Sequence, residues 1–199
     1  MSYTRAEFTK KYSPFIAKAV RGTGLLVGTV LAQAILESQG KVSSGAYKVG
    51  ASKLSREANN YFGIKCHNWK GKTYNINTGE YTKSGQYYVE KGSCFRAYNS
   101  IEDSINDYVK FLEDNPRYRN AGVFKAKTVK KQAEALKKAG YATALNYPTT
   151  VEGIYNGIKD DIVKLTEFQI KFAKKYWWVI LLGTAGIAGI TFALVKYKK

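Results

Sequence analysis

The chain has 199 residues, 32 Lys and Arg against 15 Asp and Glu, one His, two Cys and a net charge of +17. That length supports one domain with a real core, alone or with an appendage, and 45% apolar with 14% aromatic residues excludes global disorder. Two Cys are too few for a disulfide scaffold and one His excludes a His-rich metal site, while the charge calls for an anionic partner without choosing among nucleic acid, anionic lipid and cell-wall polymer.

In chain order, Thr4-Arg5-Ala6-Glu7 reads as a capping box, followed by Phe8, Tyr12, Phe15, Ile16 and Val20 at helical spacing. Pro14 interrupts that spacing and allows a break or kink near it. Leu25 to Ser38 is apolar on nearly every face and is expected to be the central buried helix, with Gly40 suited to cap it. Residues 41–60 are polar and loop-like. From Tyr61 to Tyr98 the texture turns to Tyr, Thr, Val and Phe with Gly and Asn, which predicts strands and hairpins with turns at Thr78-Gly79 and Ser84-Gly85. Helices resume at Ser100, an N-cap for an apolar face of Ile101, Ile105, Tyr108, Val109 and Leu112, and Asn115-Pro116 stops that helix. Another is expected from Thr128 to Ala139, closed by Gly140, and a last long one is capped by Thr149 to Glu152 and runs through Ile154, Ile158, Ile162 and Leu165. The order is that of an α+β domain with a small β-part inserted between helical layers.

The mean hydropathy of −0.34 hides a segregation. Tyr176 to Val195 is a run of 20 residues without a charge, about 30 Å long as a helix and so matched to a bilayer's hydrocarbon core. Lys174 and Lys175 precede it, Lys196, Lys198 and Lys199 follow, and Tyr176, Trp177, Trp178 and Tyr197 sit where aromatic belts belong. The alternative, a buried C-terminal core helix, would normally keep a polar stripe. The expected organisation is a soluble domain on 1–163, a helical basic connector on 164–175, one transmembrane helix on 176–195 and a basic tail on 196–199. Gly183, Gly186 and Gly189 would permit close helix contact and hence self-association in the lipid bilayer. Seven Lys and one Glu after residue 163 carry +6, which leaves +11 on the soluble part. The N-terminus, MSYTRAEFTKKYSPF, shows no apolar signal-peptide core, and lysines balanced at three on each side of the span decide no orientation.

Most enzyme chemistries lack their apparatus here. There is no phosphate-binding Gly-rich loop opening a helix, no GxSxG and no His-Glu-x-x-His, so neither cofactor nor metal is expected. Cys66 and His67 are neighbours and point apart on a strand, so they make no nucleophile–base pair, and His67 reads as a surface polar residue. Cys66 and Cys94 either pair or remain free thiols. Glu37 ends a helix whose body is almost wholly apolar, and partial desolvation would raise its carboxyl toward the working range of a general acid; the alternative is a helix-terminal Glu satisfied by solvent. Glycosidic cleavage needs such an acid and a second group that stabilises an oxocarbenium-like transition state or activates water. No groove-reading module is present and the lysines are scattered, so no nucleic-acid partner is expected.

Leu31-Ala32-Gln33-Ala34-Ile35-Leu36-Glu37-Ser38 resembles the LAQxxLES motif of the glucosaminidases of glycoside hydrolase family 73, peptidoglycan-cleaving domains of autolysins, flagellar rod-assembly muramidases and phage lysins. Asn59-Asn60-Tyr61-Phe62-Gly63-Ile64-Lys65 resembles their NNLFGIK strand, and Trp69-Lys70-Gly71 the WKG that follows. Thr78-Gly79-Glu80-Tyr81 resembles T-x-E-Y of the β-lobe, Phe95-Arg96-Ala97-Tyr98-Asn99-Ser100 resembles FRxYxS, and Ala139-Gly140-Tyr141-Ala142-Thr143 resembles AGYAT. Two departures stand out: Gln39-Gly40 replaces the usual Gly-Trp-Gly, and Ala144-Leu145 the usual Asp-Pro. The resemblance implies a lysozyme-like, mostly helical domain with a small inserted β-lobe. It implies Glu37 as catalytic general acid, Glu80 as the second acidic residue on a mobile lobe, and Tyr141 as the tyrosine lining the cleft, with Tyr147 a further site residue. Tyr61 and Trp69 would offer apolar surface to sugar faces or pack in the core, Phe62 reads as core and Arg96 as structural.

The implied activity is hydrolysis of peptidoglycan glycan strands by an endo-β-N-acetylglucosaminidase. Its rivals are a lytic transglycosylase and a non-catalytic wall-binding or virion protein. A wall hydrolase with a C-terminal anchor and no signal peptide would by default leave its domain away from its substrate. That points to a virion membrane, which meets the wall at entry, or to a phage or bacterial envelope whose span serves as an uncleaved export signal. The viral setting is the one preferred here.

Overall fold

The computed structural model describes residues 2–81, 86–167 and 171. The expected span 176–195, the tail 196–199, most of the connector past residue 167 and the Ser84-Gly85 turn lie outside the described residues. Among the described residues no helix is long and apolar enough to cross a membrane.

The first helix, α1 (Arg5–Ala19), starts at the expected capping box: Glu7 N donates to Thr4 Oγ1 at 3.2 Å and Thr4 N to Glu7 Oε2 at 2.7 Å. It buries Phe8, Tyr12 and Ile16 and runs unbroken through Pro14, which faces solvent. The carbonyl that Pro14 leaves without a helical partner therefore lies on the wet side. α2 (Val27–Ser38) is the expected central helix, with Val30, Leu31, Ala32, Ala34 and Ile35 all buried. A helix apolar all round must be covered on every side. α1 and the later helices α6 (Val129–Lys138) and α7 (Tyr147–Asn156) pack against it.

Gly40, expected from the sequence to cap α2, does not do so. It opens the short strand β1 (Gly40–Lys41), paired antiparallel with β2 (Tyr47–Lys48). A Cβ at Gly40 would fall 2.8 Å from the Ala51 carbonyl, so close backbone approach demands the glycine. Residues 41–60, expected to be loop, also hold α3 (Lys53–Ala58), N-capped by Ser52, whose hydroxyl accepts from Ser55 N at 3.2 Å.

The β-part is one hairpin, β3 (Thr73–Tyr81) against β4 (Tyr87–Arg96). Thr78-Gly79, expected as a turn, lies within β3; the irregularity sits between Ile76 and Thr78, where Lys91 and Gly92 face Asn77 alone. Gly92 at φ 65° supplies the left-handed residue such a bulge uses, and its N–H donates to Asn77 Oδ1 at 2.9 Å. Residues 59–65, expected as a strand, form a loop with a single bridge from Lys65 to Phe95. Buried Asn60 replaces a ladder: its amide donates to the carbonyls of Ile64 (3.0 Å) and Arg96 (2.9 Å), and its Oδ1 accepts from the N–H of Phe62 and of Ile64. Cys66 and Cys94 form a disulfide across 28 residues of chain, beside the bond from Cys66 N to the Cys94 carbonyl at 2.9 Å. The pairing that sequence left open is thus made.

α4 (Ile101–Asp114) begins at Ser100 as expected, and Asn115 ends it before Pro116 opens α5 (Pro116–Asn120). α6 follows its N-cap Thr128 and closes at Gly140 with φ 80°. The last helix starts earlier than its Thr149 signal: α7 begins at Tyr147, and the Thr149 and Thr150 hydroxyls donate back to the Asn146 carbonyl. It ends at Gly157, and a further helical stretch covers 159–167.

Candidate active site

Glu37 lies in the last turn of α2, where an almost wholly apolar helix reaches the surface. The following Ser38 is buried and pins the helix end, its hydroxyl donating to the Ala34 carbonyl at 2.6 Å and accepting from Gly50 N at 3.2 Å. The loop 59–65 crosses in front of the carboxyl. Gly63, at φ 65°, passes so near that a Cβ there would sit 3.8 Å from Glu37 Oε2. The Glu37 carboxyl is half-buried, and burial alone pushes it up to about 7. The charged form has lost water and gained no compensating cation.

The floor beneath is aromatic and held by one amide. Gln33 lies one turn before Glu37 on the same face and is fully buried. Its Nε2 donates to the Tyr147 hydroxyl at 2.6 Å, and its Oε1 accepts from the Tyr108 hydroxyl. Phe62 stacks on Tyr108 with centroids 4.1 Å apart, and Tyr141 meets the edge of Tyr108 at 5.9 Å. The Tyr141 hydroxyl donates to the Phe62 carbonyl at 2.7 Å, which ties the segment after α6 to the loop over Glu37. Burial holds the hydroxyls of Tyr108, Tyr141 and Tyr147 protonated well above the usual tyrosine range, and the nearby Glu37 carboxylate adds to this at each. They therefore keep their protons across the working pH range, Tyr108 and Tyr141 as donors and Tyr147 as the acceptor of the Gln33 amide.

Glu37, Phe62, Gly63 and Tyr141 form one end of a cleft of ≈ 290 Å³, and Lys65, His67, Phe111, Arg117 and Tyr118 line the rest. A depression of ≈ 330 Å³ between α1 and residues 161–165 is slightly larger, but the carboxyl that burial pushes up, Glu37, lies in the smaller cleft.

The other expected site residues divide. Tyr141 lines the cleft beside Glu37. Tyr147 is 4% exposed and outside the cleft lining, and it supports the site from beneath through Gln33 and through its ring, 6.2 Å from that of Tyr141. Tyr61 offers no face to a sugar: it is 2% exposed and stacked on Phe8 at 5.7 Å, with its N–H bonded to Ser104 Oγ. Trp69 is half-buried outside the cleft lining, its indole N–H donating to the Lys72 carbonyl at 2.9 Å and its ring 4.8 Å from the Arg96 guanidinium. Arg96 in turn donates to both oxygens of Asp107, at 3.0 and 2.8 Å. Glu80 stands in β3 opposite Tyr88. Gln33, Phe111, Arg117 and Tyr118 were not anticipated. Only Gln33 carried a signal, as a polar residue inside an apolar helix. Among the described residues no group of His, Cys, Asp and Glu is placed to hold a metal ion.

A carboxyl desolvated at the end of a buried helix, opening on an aromatic cleft in a helical domain with a β-hairpin lobe, defines a lysozyme-like glycosidase domain. The family described as mannosyl-glycoprotein endo-beta-N-acetylglucosaminidase (Glucosaminidase) matches residues 13–160. Over 149 residues the chain is 35% identical to peptidoglycan hydrolase FlgJ of Vibrio cholerae, covering 74% of this chain and 42% of that protein. It is 30% identical over 133 residues to exo-glucosaminidase LytG of Bacillus subtilis, covering 65% and 43%. Among solved structures, a peptidoglycan hydrolase mutant from Sphingomonas sp. A1 superposes with TM-score 0.63 at 29% identity, over 80% of this chain and 99% of that one. A C-terminally truncated glycoside hydrolase domain of Salmonella typhimurium FlgJ gives TM-score 0.55 at 33% identity, over 78% and 98%. The chain belongs to the glucosaminidase family. It spans under half the length of these curated relatives.

Proposed function

We propose that this chain is a peptidoglycan endo-β-N-acetylglucosaminidase in which Glu37 protonates the glycosidic oxygen of a bond in the GlcNAc–MurNAc strand. The observation that carries this reading is the Glu37 carboxyl, raised to about 7 by burial at the head of the cleft. A carboxyl poised there still holds its proton in a large fraction of molecules at neutral pH and releases it readily to a leaving oxygen. The half-buried Tyr141 offers the wall against which a sugar ring lies, and its hydroxyl bond to the carbonyl of buried Phe62 keeps that wall fixed. Glu80, on the hairpin lobe, either activates water or supports attack by the substrate's own acetamido group.

The second part of the reading is location. The uncharged run 176–195 anchors the domain in a bilayer, either a virion membrane or a bacterial envelope, and its glycines allow self-association. The Cys66–Cys94 disulfide favours a domain that matures outside a reducing cytosol, on the side where cell wall lies. Detection of the chain in purified particles and its loss on detergent extraction would support the virion setting; recovery only in host membranes would count against it.

The enzymatic test is mass spectrometry of muropeptides released from purified sacculi by the full chain in detergent. Reducing-end GlcNAc, lost with Glu37→Gln by about 100-fold or more, is expected. AnhydroMurNAc products would instead identify a lytic transglycosylase.

A further inference from the structure

The two ends of the cleft differ in charge. Glu37 at the inner end feels burial alone. His67 at the outer end is lowered by burial and then by three cations, Arg96, Arg117 and Lys65. The positive field is thus concentrated away from the acid, where it does not depress the Glu37 carboxyl, and tuning that acid is not its role.

Two of these cations are already occupied. Lys65 pairs with Glu90 at 2.7 Å, and Arg96 is held by Asp107. Among the described residues Arg117 has no carboxylate partner, although it is exposed on the cleft rim. Its guanidinium is nevertheless positioned: it lies 4.8 Å from the Tyr118 ring centroid and its Nη2 donates to the Tyr118 hydroxyl at 2.9 Å. One edge of a planar five-donor group is used and the rest is left for a ligand. Opposite, His67 is held with φ 45°, next to the Cys66–Cys94 disulfide, its ring stacked on Phe111 at 6.1 Å. Left-handed backbone at a residue other than Gly persists only where surrounding structure imposes it. The outer end is therefore a preformed, cation-lined socket in the same cleft as the acid.

We propose that Arg117, with His67 as a neighbouring ring N–H donor, binds a carboxylate of the peptide stem carried by the glycan strand, so that the enzyme selects peptide-bearing over stripped strands. This rests on the reading of the chain as a peptidoglycan glucosaminidase. It follows from the chemistry of that polymer: the amide-linked sugars are neutral, and the stems supply the carboxylates that lie beside every second sugar. Wall phosphodiesters are the other source of anions, and the experiment separates them.

Reducing-end release by the full chain in detergent is measured on three substrates: purified peptidoglycan, the same strands stripped of stems by an amidase with the lactyl carboxylate so exposed capped as its methylamide, and peptidoglycan freed of phosphodiester-linked polymer with stems intact. The ratio of kcat/KM on stem-bearing to stripped strands is expected to exceed one. Arg117→Gln should lower it about fivefold, through KM, as for one partly exposed charge pair. Arg117→Lys should keep most of the ratio and Arg117→Glu should drive it below one. Removal of phosphodiester polymer should leave the ratio as it was. A structural role for Arg117 over Tyr118 would lower both substrates together, and that result overturns the proposal. So does a preference that vanishes with the phosphodiesters. Failure of the wild-type chain to cleave either kind of strand would instead sink the glucosaminidase reading itself.

Discussion

Glu37 should weaken the fold it serves, and Glu37→Gln should reveal by how much. Below about pH 4.5 its carboxyl is protonated in folded and unfolded chains alike and contributes nothing. Between that value and about 7, the folded protein retains a proton that the unfolded chain has released, so stability falls as pH rises. Above about 7 the whole penalty is present. The gap between the unfolded value of 4.5 and about 7 corresponds to roughly 3 kcal/mol. Residual exposure of the carboxyl screens this to about 2 kcal/mol. Gln keeps the shape and cannot ionise. Thermal unfolding of the full chain in detergent should therefore show the variant about 4–8 °C more stable at pH 8 and equal to wild type at pH 4. An equal gain at both pH values, or a loss at pH 8, would refute desolvation of Glu37 as the source of its raised carboxyl.

Three further outcomes follow from the packing. Gln33→Leu strands the Tyr108 and Tyr147 hydroxyls in the core and should cost about 2–4 kcal/mol in urea unfolding, with activity falling as the aromatic floor loosens. Replacing Cys66 and Cys94 by Ser releases the closure of a 28-residue loop, worth about 3–4 kcal/mol, and wild type in reductant should match that double variant in a melting experiment. Asp107→Ala leaves the Arg96 guanidinium, 13% exposed, without its partner and should cost about 3 kcal/mol; adding Arg96→Met should recover part of that loss, read by the same melting curves.

Much of the helical frame was legible because local signals and global packing agree there. Thr4, Ser100 and Thr128 each cap the helix that follows, and Leu25 to Ser38 is buried as its composition requires. Misreadings arose where a side chain or a tertiary contact replaced a local rule. Asn60 satisfies the backbone of 59–65 through its own amide, so an apolar, strand-like run folds as a loop. Gly40 and Thr78-Gly79 look like turn chemistry, yet one serves a close backbone approach and the other lies inside a strand whose bulge is at Gly92. Of the site, the burial of Glu37 was readable from its place at the end of an apolar helix, while its role as acid is what the family motif implies. Tyr61 and Tyr147 were not separable from cleft aromatics, since the chain alone does not say which ring Phe8 or Gln33 will claim. Arg117 belongs to no pattern, and only the folding of α5 against Phe111 brings it to the cleft.

The most direct test of a burial-raised Glu37 as the proton donor is the pH dependence of kcat/KM for glycan cleavage. Because the acid must be protonated in the free enzyme, kcat/KM should fall tenfold per pH unit above about 7, with the residual activity of Glu37→Gln lacking that limb. A wild-type profile flat through pH 9, or the same basic limb in Glu37→Gln, would contradict the assignment.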